Sequence, residues 1–358
     1  MSTTTVLLGI DFGGTKIAVA VADPGGARLA TATVDSAGEL GARAAFERGV
    51  AAARDLLGPL SDRNLAAVGV STFGIPFEDR VDLAPAIVGW DDLALGRELR
   101  AAFPGAEIRM ATDAKAAAQA EVRWGALAGY DPAVYLNLGT GLSTALVIGG
   151  QVVAGAHGAA GEIGYNLRAL SDVGLPLDAR VPLEDMISGQ ALARRAPQAM
   201  AAADVFGAAG AEPRLDRLVS EFVTELAFHV VNLAISVNPA RIAVGGGLVQ
   251  SWERLRPGLE QALKAGTPFP PELVTARFPA DAPLIGAVAL AADAAGADIS
   301  LDDPAAHADH DPRPGQARTA DNAPHADNAR TGTARADGAI DGAPVTQHSH
   351  PQTERLQS

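Results

Sequence analysis

Two stretches of this chain repeat one strand-turn-strand pattern, and they constrain its fold more than any other feature. Residues 8–21 align without a gap on residues 134–147, which pairs IDFGGTKIAVAV with LNLGTGLSTALV. In each copy Asp11 or Asn137 ends an apolar run, and a turn of Gly and Thr follows. A duplicated hairpin predicts two similar lobes that face each other across a cleft. For one copy alone, the need for glycine in any tight β-turn explains the pattern equally well.

The chain around these hairpins alternates strand-like and helix-like patterns over residues 5 to 296. Apolar runs such as VLLGID, AAVGVST and RIAVGGG are typical of buried strands, and the stretches between them have helical spacing or composition. This alternation predicts an α/β fold. Helices are predicted over residues 38–57, 93–103, 113–128, 184–203 and 214–237.

Residues 297–358 differ in composition from the rest of the chain. They contain many Ala, Asp and Pro residues, five of the seven histidines and no aromatic residue. Such a segment cannot bury enough apolar surface to form a core, so it is predicted to be a disordered tail. Its HADHDPRP stretch weakly resembles a metal-binding tract, and a solvated low-complexity extension is the interpretation we prefer.

The overall composition excludes several classes of function. The chain has no cysteine, which excludes disulfides, a thiolate nucleophile and cysteine-bound zinc. Its formal net charge of -14 argues against sequence-independent nucleic-acid binding, which requires clustered Lys and Arg. The N-terminus has no basic region followed by a long apolar run, and no apolar window reaches the length of a membrane span. We therefore predict a cytoplasmic protein without nucleic-acid or membrane partners.

Three glycine-containing turns are candidates for binding ATP. A glycine turn lets the backbone approach a phosphate, Lys16 adds a point charge, and Asp11 would hold Mg²⁺ through water. The third turn would let a flat nucleoside lie close to the backbone. The alternative for each is an ordinary structural turn. The turns comprise Gly13, Gly14, Thr15 and Lys16, then Gly139, Thr140 and Gly141, and finally Gly245, Gly246 and Gly247.

Asp113 is the candidate catalytic base. It follows the strand-like run IRMAT and opens an Ala-rich helix. A hydroxyl that attacks a phosphoryl group needs a carboxylate to orient it and accept its proton. The alternative is that Thr112 or Asp113 only caps the helix. Because the chain also has two candidate phosphate-binding turns, at residues 13–16 and 139–141, we favour the catalytic interpretation. These are called the first and second phosphate turns below.

Two glutamates are candidates for binding a sugar. Glu162 lies between glycines in GAAGEIGYNL, and Glu184 lies in VPLEDMISG near a predicted helix start. Carboxylates accept hydrogen bonds from neighbouring sugar hydroxyls. Either glutamate could instead be a helix-terminal or surface charge.

Together these segments resemble the motifs of the ROK family, the bacterial sugar kinases and sugar-responsive repressors that share the actin-like fold. The match extends from residue 6 to about residue 296. It implies a two-lobed actin-like, ribonuclease H-like ATPase fold with a central cleft, ATP and Mg²⁺ as cofactors, and a homodimer. It also implies that Asp113 is catalytic and that Glu162 and Glu184 bind sugar hydroxyls. The matching segments are residues 10–18, 112–121, 136–144, 160–164, 183–184 and 245–247.

The resemblance also divides the chain into domains. Residues 1–115 would form an N-terminal α/β lobe with the first phosphate turn and Asp113, and residues 116–282 a C-terminal lobe with the other motifs. Residues 283–296 would form a helix that packs back on the N-terminal lobe, before the tail at 297–358. The LAPAIVGW stretch resembles the one that lines the sugar side of the family's cleft. Family repressors carry a helix-turn-helix domain before the first phosphate motif, where this sequence has only about five residues, so a kinase is favoured.

Several positions depart from the family pattern. The family usually has Asn before the aspartate and two positions after it, where this chain has Thr112 and Lys115. Thr112 remains a candidate sugar ligand, and Lys115 would lower the pKa of Asp113, contact a phosphate or point to solvent. The second phosphate turn continues as GLST where glycines are usual, and we expect the hydroxyls of Ser143 and Thr144 to compensate.

The zinc site common in the family has no counterpart in this sequence. Its histidine is replaced by Tyr165, and its three cysteines are missing. We predict no zinc site, and Tyr165 is a candidate hydrogen-bond donor to the sugar in place of imidazole.

The predicted reaction is transfer of the γ-phosphoryl group of MgATP to a hexose, with the 6-hydroxyl of glucose as first choice. The alternatives are another hexose, such as fructose, mannose, allose or an N-acetylhexosamine, and a non-catalytic sugar-sensing ROK protein. A third interpretation is an ATPase that acts without sugar. The kinase is favoured over the sensor because the chain retains the residues that the reaction would need, namely Asp11, Lys16, Asp113, Glu162 and Glu184.

Overall fold

Strands and helices alternate along the chain in the computed structural model, which describes residues 4–197, 200–279 and 281–296. The segment 297–358, predicted to be a tail, lies outside the described residues. The strands are β1 (Thr5–Phe12), β2 (Lys16–Ala22), β3 (Arg28–Asp35), β4 (Asn64–Thr72), β5 (Ile75–Pro76), β6 (Val81–Asp82), β7 (Glu107–Thr112), β8 (Ala133–Leu138), β9 (Leu142–Ile148), β10 (Gln151–Val152), β11 (Arg241–Gly245) and β12 (Glu272–Thr275). The helices are α1 (Ala42–Leu57), α2 (Leu95–Ala102), α3 (Asp113–Trp124), α4 (Gly189–Arg195), α5 (Ala202–Ala208), α6 (Pro213–Val237), α7 (Trp252–Gly266) and α8 (Ala282–Ala294).

Two five-stranded sheets share one strand order, and this duplication defines the fold. The first sheet has the order β3-β2-β1-β4-β7, and the second has the order β10-β9-β8-β11-β12. In each sheet three antiparallel strands come first, and two further strands run parallel to the first strand of the hairpin. The predicted α/β class and the two-lobed actin-like architecture are confirmed.

The two hairpins differ in the length of their turns. Phe12 pairs with Ile17 in the first hairpin, whereas Leu138 pairs with Leu142 in the second. The second turn is therefore one residue shorter. The gapless alignment of the two copies is correct for the first strand of each hairpin and displaced by one residue in the second strand.

Alternate residues of the central strands pack against different helices. Leu8 and Ile10 of β1 belong to a core cluster with residues of α1, whereas Leu7 packs with residues of α8 on the opposite face. In the second sheet, Leu136 of β8 packs with α6 and α7, and Tyr135 packs with α3. Both faces of each sheet are thus covered, as expected for strands with long apolar runs.

Helices α3 and α8 lie against each other, and glycines permit their close approach to the first sheet. A Cβ atom added to Gly286 of α8 would lie 1.8 Å from the carbonyl oxygen of Ala116 on α3. A Cβ atom added to Gly69 of β4 would lie 1.8 Å from the carbonyl oxygen of Ala287. The helix predicted over residues 283–296 therefore packs on β4 and on α3.

One predicted helix, over residues 184–203, is wrong. The chain instead forms a single 3₁₀ turn at Leu183–Asp185 and the short helix α4, whose first turn is capped by the Ser188 hydroxyl at 3.1 Å from the Ala191 amide. α4 ends because Ala196, which precedes Pro197, has an extended backbone.

Helix α6 is long and apolar enough to cross a membrane by length and composition alone, which our sequence analysis did not recognise. Its residues Leu215, Phe222, Leu226 and Val230 are fully buried in the core of the second lobe. α6 is therefore a core helix of the second lobe.

Candidate active site

The carboxyl ends of parallel strands bring acidic residues of the first sheet together. Asp11 on β1 lies abreast of Ser71 on β4, and Thr72 lies abreast of Thr112 at the end of β7. Asp113 begins α3 immediately after β7. Ligands of α/β proteins bind at this edge of the sheet, so the sequence separation of Asp11 and Asp113 does not prevent them from sharing one site.

A cavity of about 410 Å³ brings the predicted sugar-binding and catalytic residues together. Its walls come from both lobes and include part of the second phosphate turn. Leu83, Pro85 and Ala86 of the LAPAIVGW stretch contribute apolar surface to these walls. The predicted residues that line it are Thr112, Asp113, Thr140, Gly141, Glu162, Tyr165 and Glu184.

Asp113 is held at the start of α3 by a backbone contact. Its Oδ1 accepts a hydrogen bond of 2.7 Å from the Ala114 amide. Burial, with smaller contributions from the negative charges of Glu162 and Glu184, raises the pKa of Asp113 to about 6. A carboxylate with this pKa is mostly ionised at neutral pH and is a better proton acceptor than an ordinary aspartate. Thr112 caps the same helix, at 3.4 Å from the Lys115 amide, so it both caps α3 and lines the cavity.

Asp11 is a second acidic group with a raised pKa. Burial raises the pKa of Asp11 to about 6, and the charge of Asp113 adds to the rise, although Ser71 donates a hydrogen bond of 2.7 Å to Oδ1. Lys16 acts in the opposite direction. A nearby cation stabilises the ionised form of a buried carboxylate. Asp11 therefore fits a Mg²⁺ site next to phosphate oxygens.

The two glutamates have different partners. Glu184 lies beside the second phosphate turn, because a Cβ atom on Gly141 would be 3.0 Å from Glu184 Oε2. Burial, with the charge of Asp185, raises the pKa of Glu184. Glu162 Oε1 accepts a hydrogen bond of 3.1 Å from Lys115 Nζ. Of the three expectations for Lys115, exposure to solvent is therefore wrong.

Tyr165 lies between Glu162 and Glu184 in the sequence, at the end of the 3₁₀ turn Ile163–Tyr165. Burial, with the charges of Glu184 and Glu162, raises the pKa of Tyr165, so its phenol remains a donor at neutral pH. Arg180 donates a hydrogen bond of 3.2 Å to the Tyr165 carbonyl. Farther along, Asp172 accepts one of 2.9 Å from the Arg168 amide. Polar contacts thus hold the loop in which family members use zinc.

The first phosphate turn is tight and is anchored to Ser36, the residue that follows β3. The Gly13 amide donates to the Lys16 carbonyl at 3.0 Å. Ser36 donates through its hydroxyl to the Gly14 carbonyl at 2.8 Å and through its amide to the Thr15 carbonyl at 3.0 Å. These contacts use the turn's carbonyl groups and leave the Thr15 and Lys16 side chains exposed.

This turn borders the cavity but does not line it. A Cβ atom on Gly14 would lie 3.3 Å from the Cβ atom of Ala86, which does line the cavity. A phosphate held by the turn would therefore lie at the edge of the cavity, on the side of Ala86.

The second phosphate turn packs on the third glycine cluster. Gly245 pairs with Asn137 across β11 and β8. Gly246 has a φ of +87°, and a Cβ atom there would lie 2.5 Å from the Leu138 carbonyl oxygen, so only glycine fits. Gly247 has open space around its Cβ position. Gly139, at the other side, accepts a hydrogen bond through its carbonyl from the first residue of α4.

Ser143 and Thr144, the two hydroxyl residues expected to compensate for missing glycines in GLST, have different positions. Ser143 lines the cavity near Asn137. Thr144 is fully buried, and its hydroxyl donates to the Gly161 carbonyl at 2.7 Å, so the expectation that it offers a hydroxyl to phosphate is wrong. Thr144 instead anchors the segment that carries Glu162. Our sequence analysis also missed Ser71, because its contact with Asp11 arises from the pairing of β4 with β1.

Comparison with known proteins identifies the family. The sequence model of the ROK family matches residues 7–294. The chain belongs to the ROK family. The relatives that this ROK protein matches include a bifunctional enzyme NanE/NanK of Brucella melitensis, 36% identical over 206 residues, or 56% of the chain. The chain spans only 38% of the length of that enzyme. A kanosamine kinase of Amycolatopsis mediterranei is 29% identical over 79% of the chain and 95% of the relative.

Solved structures agree with this assignment. A ROK hexokinase from Thermus thermophilus has a TM-score of 0.67 and 30% identity over 80% of this ROK protein and 97% of that chain. A ROK glucokinase from Streptomyces griseus, in complex with glucose and AMPPNP, has a TM-score of 0.64 and 26% identity. The match covers 79% of this ROK protein and 98% of that glucokinase. A ROK transcriptional regulator shares the fold at 20% identity. The fold alone therefore does not separate kinase from regulator.

Proposed function

We propose that this ROK protein is an ATP-dependent sugar kinase that transfers the γ-phosphoryl group of ATP to a hexose hydroxyl. The observation that carries the proposal is a single cavity lined by Asp113, Glu162 and Glu184 together with Thr140 and Gly141 of the second phosphate turn. An acceptor hydroxyl, a base and a phosphate turn must lie in one site for direct phosphoryl transfer. Named sugar kinases among the relatives support the same reaction.

In the proposed mechanism, Asp113 orients the acceptor hydroxyl and takes its proton as the bond to phosphorus forms. Its pKa of about 6 suits this role, because the group is ionised before the reaction and accepts a proton readily. Glu162 and Glu184 accept hydrogen bonds from other sugar hydroxyls, and Tyr165 and Thr112 contribute hydroxyl groups. These contacts fix the sugar so that only one hydroxyl faces Asp113.

The two phosphate turns would hold ATP from opposite lobes. The backbone amides of Gly14 and Gly141 suit phosphate oxygens, with the Thr15 and Thr140 hydroxyls and the Lys16 ammonium beside them. The amides of Gly13 and Gly139 close the two turns instead, through hydrogen bonds to the carbonyls of Lys16 and Gly141. Gly245, Gly246 and Gly247 would accommodate the nucleoside. Asp11 would hold Mg²⁺ through water. When bound, Mg²⁺ neutralises charge on the phosphate oxygens during transfer.

For the acceptor, we propose the 6-hydroxyl of glucose. Glucokinases among the relatives and solved neighbours support this choice. Kanosamine kinase and N-acetyl-D-glucosamine kinase among the relatives make other hexoses direct competitors. We further propose that the enzyme is cytoplasmic, where ATP is available, and the homodimer implied by the family resemblance stays a prediction.

The test is ADP release by the purified protein with MgATP and a panel of hexoses. The panel contains glucose, fructose, mannose, allose and N-acetylated hexosamines, with a reaction lacking sugar. Release that depends on a sugar supports the kinase and names its substrate. Release without sugar supports the ATPase, and sugar binding without release supports the sensor.

A further inference from the structure

Lys115 is a buried cation next to the sugar site. It is one of three lysines in the chain, and it lies on the first turn of α3, two residues after Asp113. Its side chain is 6% exposed, and Nζ lies 3.1 Å from Glu162 Oε1. A buried ammonium group is costly unless it is paired, so the ion pair with Glu162 stabilises Lys115 in this position.

The two partners face different cavities. Glu162 lines the cavity of about 410 Å³ that contains Asp113, and Lys115 does not. Lys115 lines a separate cavity of about 250 Å³, and Thr112 contributes to both. Lys115 therefore contacts Glu162 from behind the sugar site. It is not placed to contact a ligand in the larger cavity.

The pair also joins two segments that are distant in the sequence. Lys115 belongs to α3, which begins at the end of the first sheet, and Glu162 follows the second hairpin, 47 residues later. Lys115 uses one carboxylate oxygen of Glu162, and the other oxygen remains for a sugar hydroxyl. Asp113 and Glu184, both acidic, share the cavity with Glu162, so a neighbouring cation opposes the mutual repulsion of the three carboxylates.

We propose that Lys115 is a positioning residue for sugar binding, which fixes the Glu162 carboxylate in the cavity through their ion pair. The inference rests on the proposed function in that the ligand of the cavity is a hexose. Lys115 acts only through Glu162, so its contribution depends on the Glu162 carboxylate.

A double-mutant cycle on sugar affinity tests this dependence. The dissociation constant of the best hexose is measured by calorimetry for the wild type, Lys115→Met, Glu162→Gln and the double variant. Each single substitution should weaken binding about 10- to 100-fold, because a charge-assisted hydrogen bond in a closed site is lost or misplaced. The double variant should bind within about threefold of the weaker single variant. If the loss of affinity in the double variant equals the product of the two single losses, the proposal is wrong.

Controls separate positioning from a structural role. Lys264→Met removes a lysine whose side chain is 70% exposed, and it should leave hexose affinity and the melting temperature unchanged. If Lys115→Met does not fold, Lys115→Gln, which removes the charge but keeps a polar side chain, enters the cycle instead. The KM for ATP should change less than threefold in all folded variants. A Lys115 variant that weakens ATP and hexose equally would contradict positioning.

The outcomes also separate this inference from the proposed function. A wild-type protein that binds hexose without turnover refutes the kinase, and the cycle on affinity still decides the role of Lys115. A wild-type protein that phosphorylates hexose but shows independent effects of Lys115 and Glu162 refutes only the positioning role. Absence of binding by any hexose refutes both.

Discussion

Ser71 donates a hydrogen bond of 2.7 Å to Asp11, and the register of β1 and β4 places the two residues side by side. This contact opposes the effect of burial on Asp11, because it favours the ionised carboxylate. A residue that our sequence analysis did not recognise therefore supports the charge proposed to hold Mg²⁺.

Ser71→Ala should weaken the use of Mg²⁺. Loss of the hydrogen bond raises the pKa of Asp11 further above its present value of about 6, so less of it is ionised at pH 7. We expect activity at limiting Mg²⁺ to fall about tenfold, consistent with loss of one hydrogen bond to a charged group, and excess Mg²⁺ to restore part of it. Steady-state kinetics over a Mg²⁺ titration measures this, with exposed Ser220→Ala as control. An unchanged Mg²⁺ dependence would contradict the role of Ser71.

The pH dependence of kcat/KM for the sugar should show loss of activity below pH about 6. Asp113 must be ionised to accept a proton, and its pKa is about 6. Asp11 has a similar pKa, and the two carboxyls interact, so the acidic limb belongs to the pair. At low Mg²⁺ we expect the slope of the acidic limb to correspond to more than one proton. At saturating Mg²⁺ we expect a slope closer to one proton. A flat profile between pH 5 and pH 8 argues against a carboxylate base.

Asp113→Asn should stabilise the protein while it strongly lowers activity. The folded-state pKa of about 6 exceeds the ordinary value of 3.8, so the folded state binds the proton more tightly than the unfolded state. The contribution of Asp113 to the free energy of unfolding therefore decreases as pH rises from about 4 to about 6 and stays low above that range. The amide removes this penalty, and we expect a gain of about 3 kcal/mol at pH 8 that disappears below pH 4.

Urea denaturation at several pH values tests that linkage. The exposed Asp178→Asn serves as a matched control and should show no such dependence. Equal stability of Asp113→Asn and the wild type at pH 8 would show that burial does not disfavour the charge.

Gly286→Ala should destabilise the fold. Its Cβ atom would overlap the Ala116 carbonyl oxygen at 1.8 Å, which forces α8 away from α3. We expect a loss of about 3 kcal/mol, at the upper end of the cost of overpacking. Gly207→Ala is the matched control, because Gly207 also lies inside a helix and has no atom within 4 Å of its Cβ position. That variant should gain about 0.5–1 kcal/mol in stability.

Local features of the site are easier to predict from the sequence than contacts between distant residues. The duplicated hairpin and the start of α3 at Asp113 follow from apolar runs, turns and caps, which are encoded by neighbouring residues. The pairs Lys115–Glu162 and Ser71–Asp11 are not predictable in this way, since each joins distant segments through packing of strands and lobes. The shorter second turn also escaped a gapless alignment, because only strand pairing reveals it.

The helix predicted at residues 184–203 fails for a related reason. Its composition favours a helix, but Ser188 begins α4 and Pro197 prevents its continuation. Local start and stop signals inside the segment outweigh its average propensity.

The most direct test of the account is to follow phosphorylated sugar itself. The protein is incubated with MgATP and glucose, and the product is analysed by phosphorus and carbon NMR, beside Asp113→Asn. We predict a phosphate ester at the 6-hydroxyl of the sugar and a rate about 10²–10⁴-fold lower for the variant. A phosphorylated sugar formed equally fast by Asp113→Asn would contradict the assignment of the base, and no sugar phosphate with any hexose would contradict the proposed kinase.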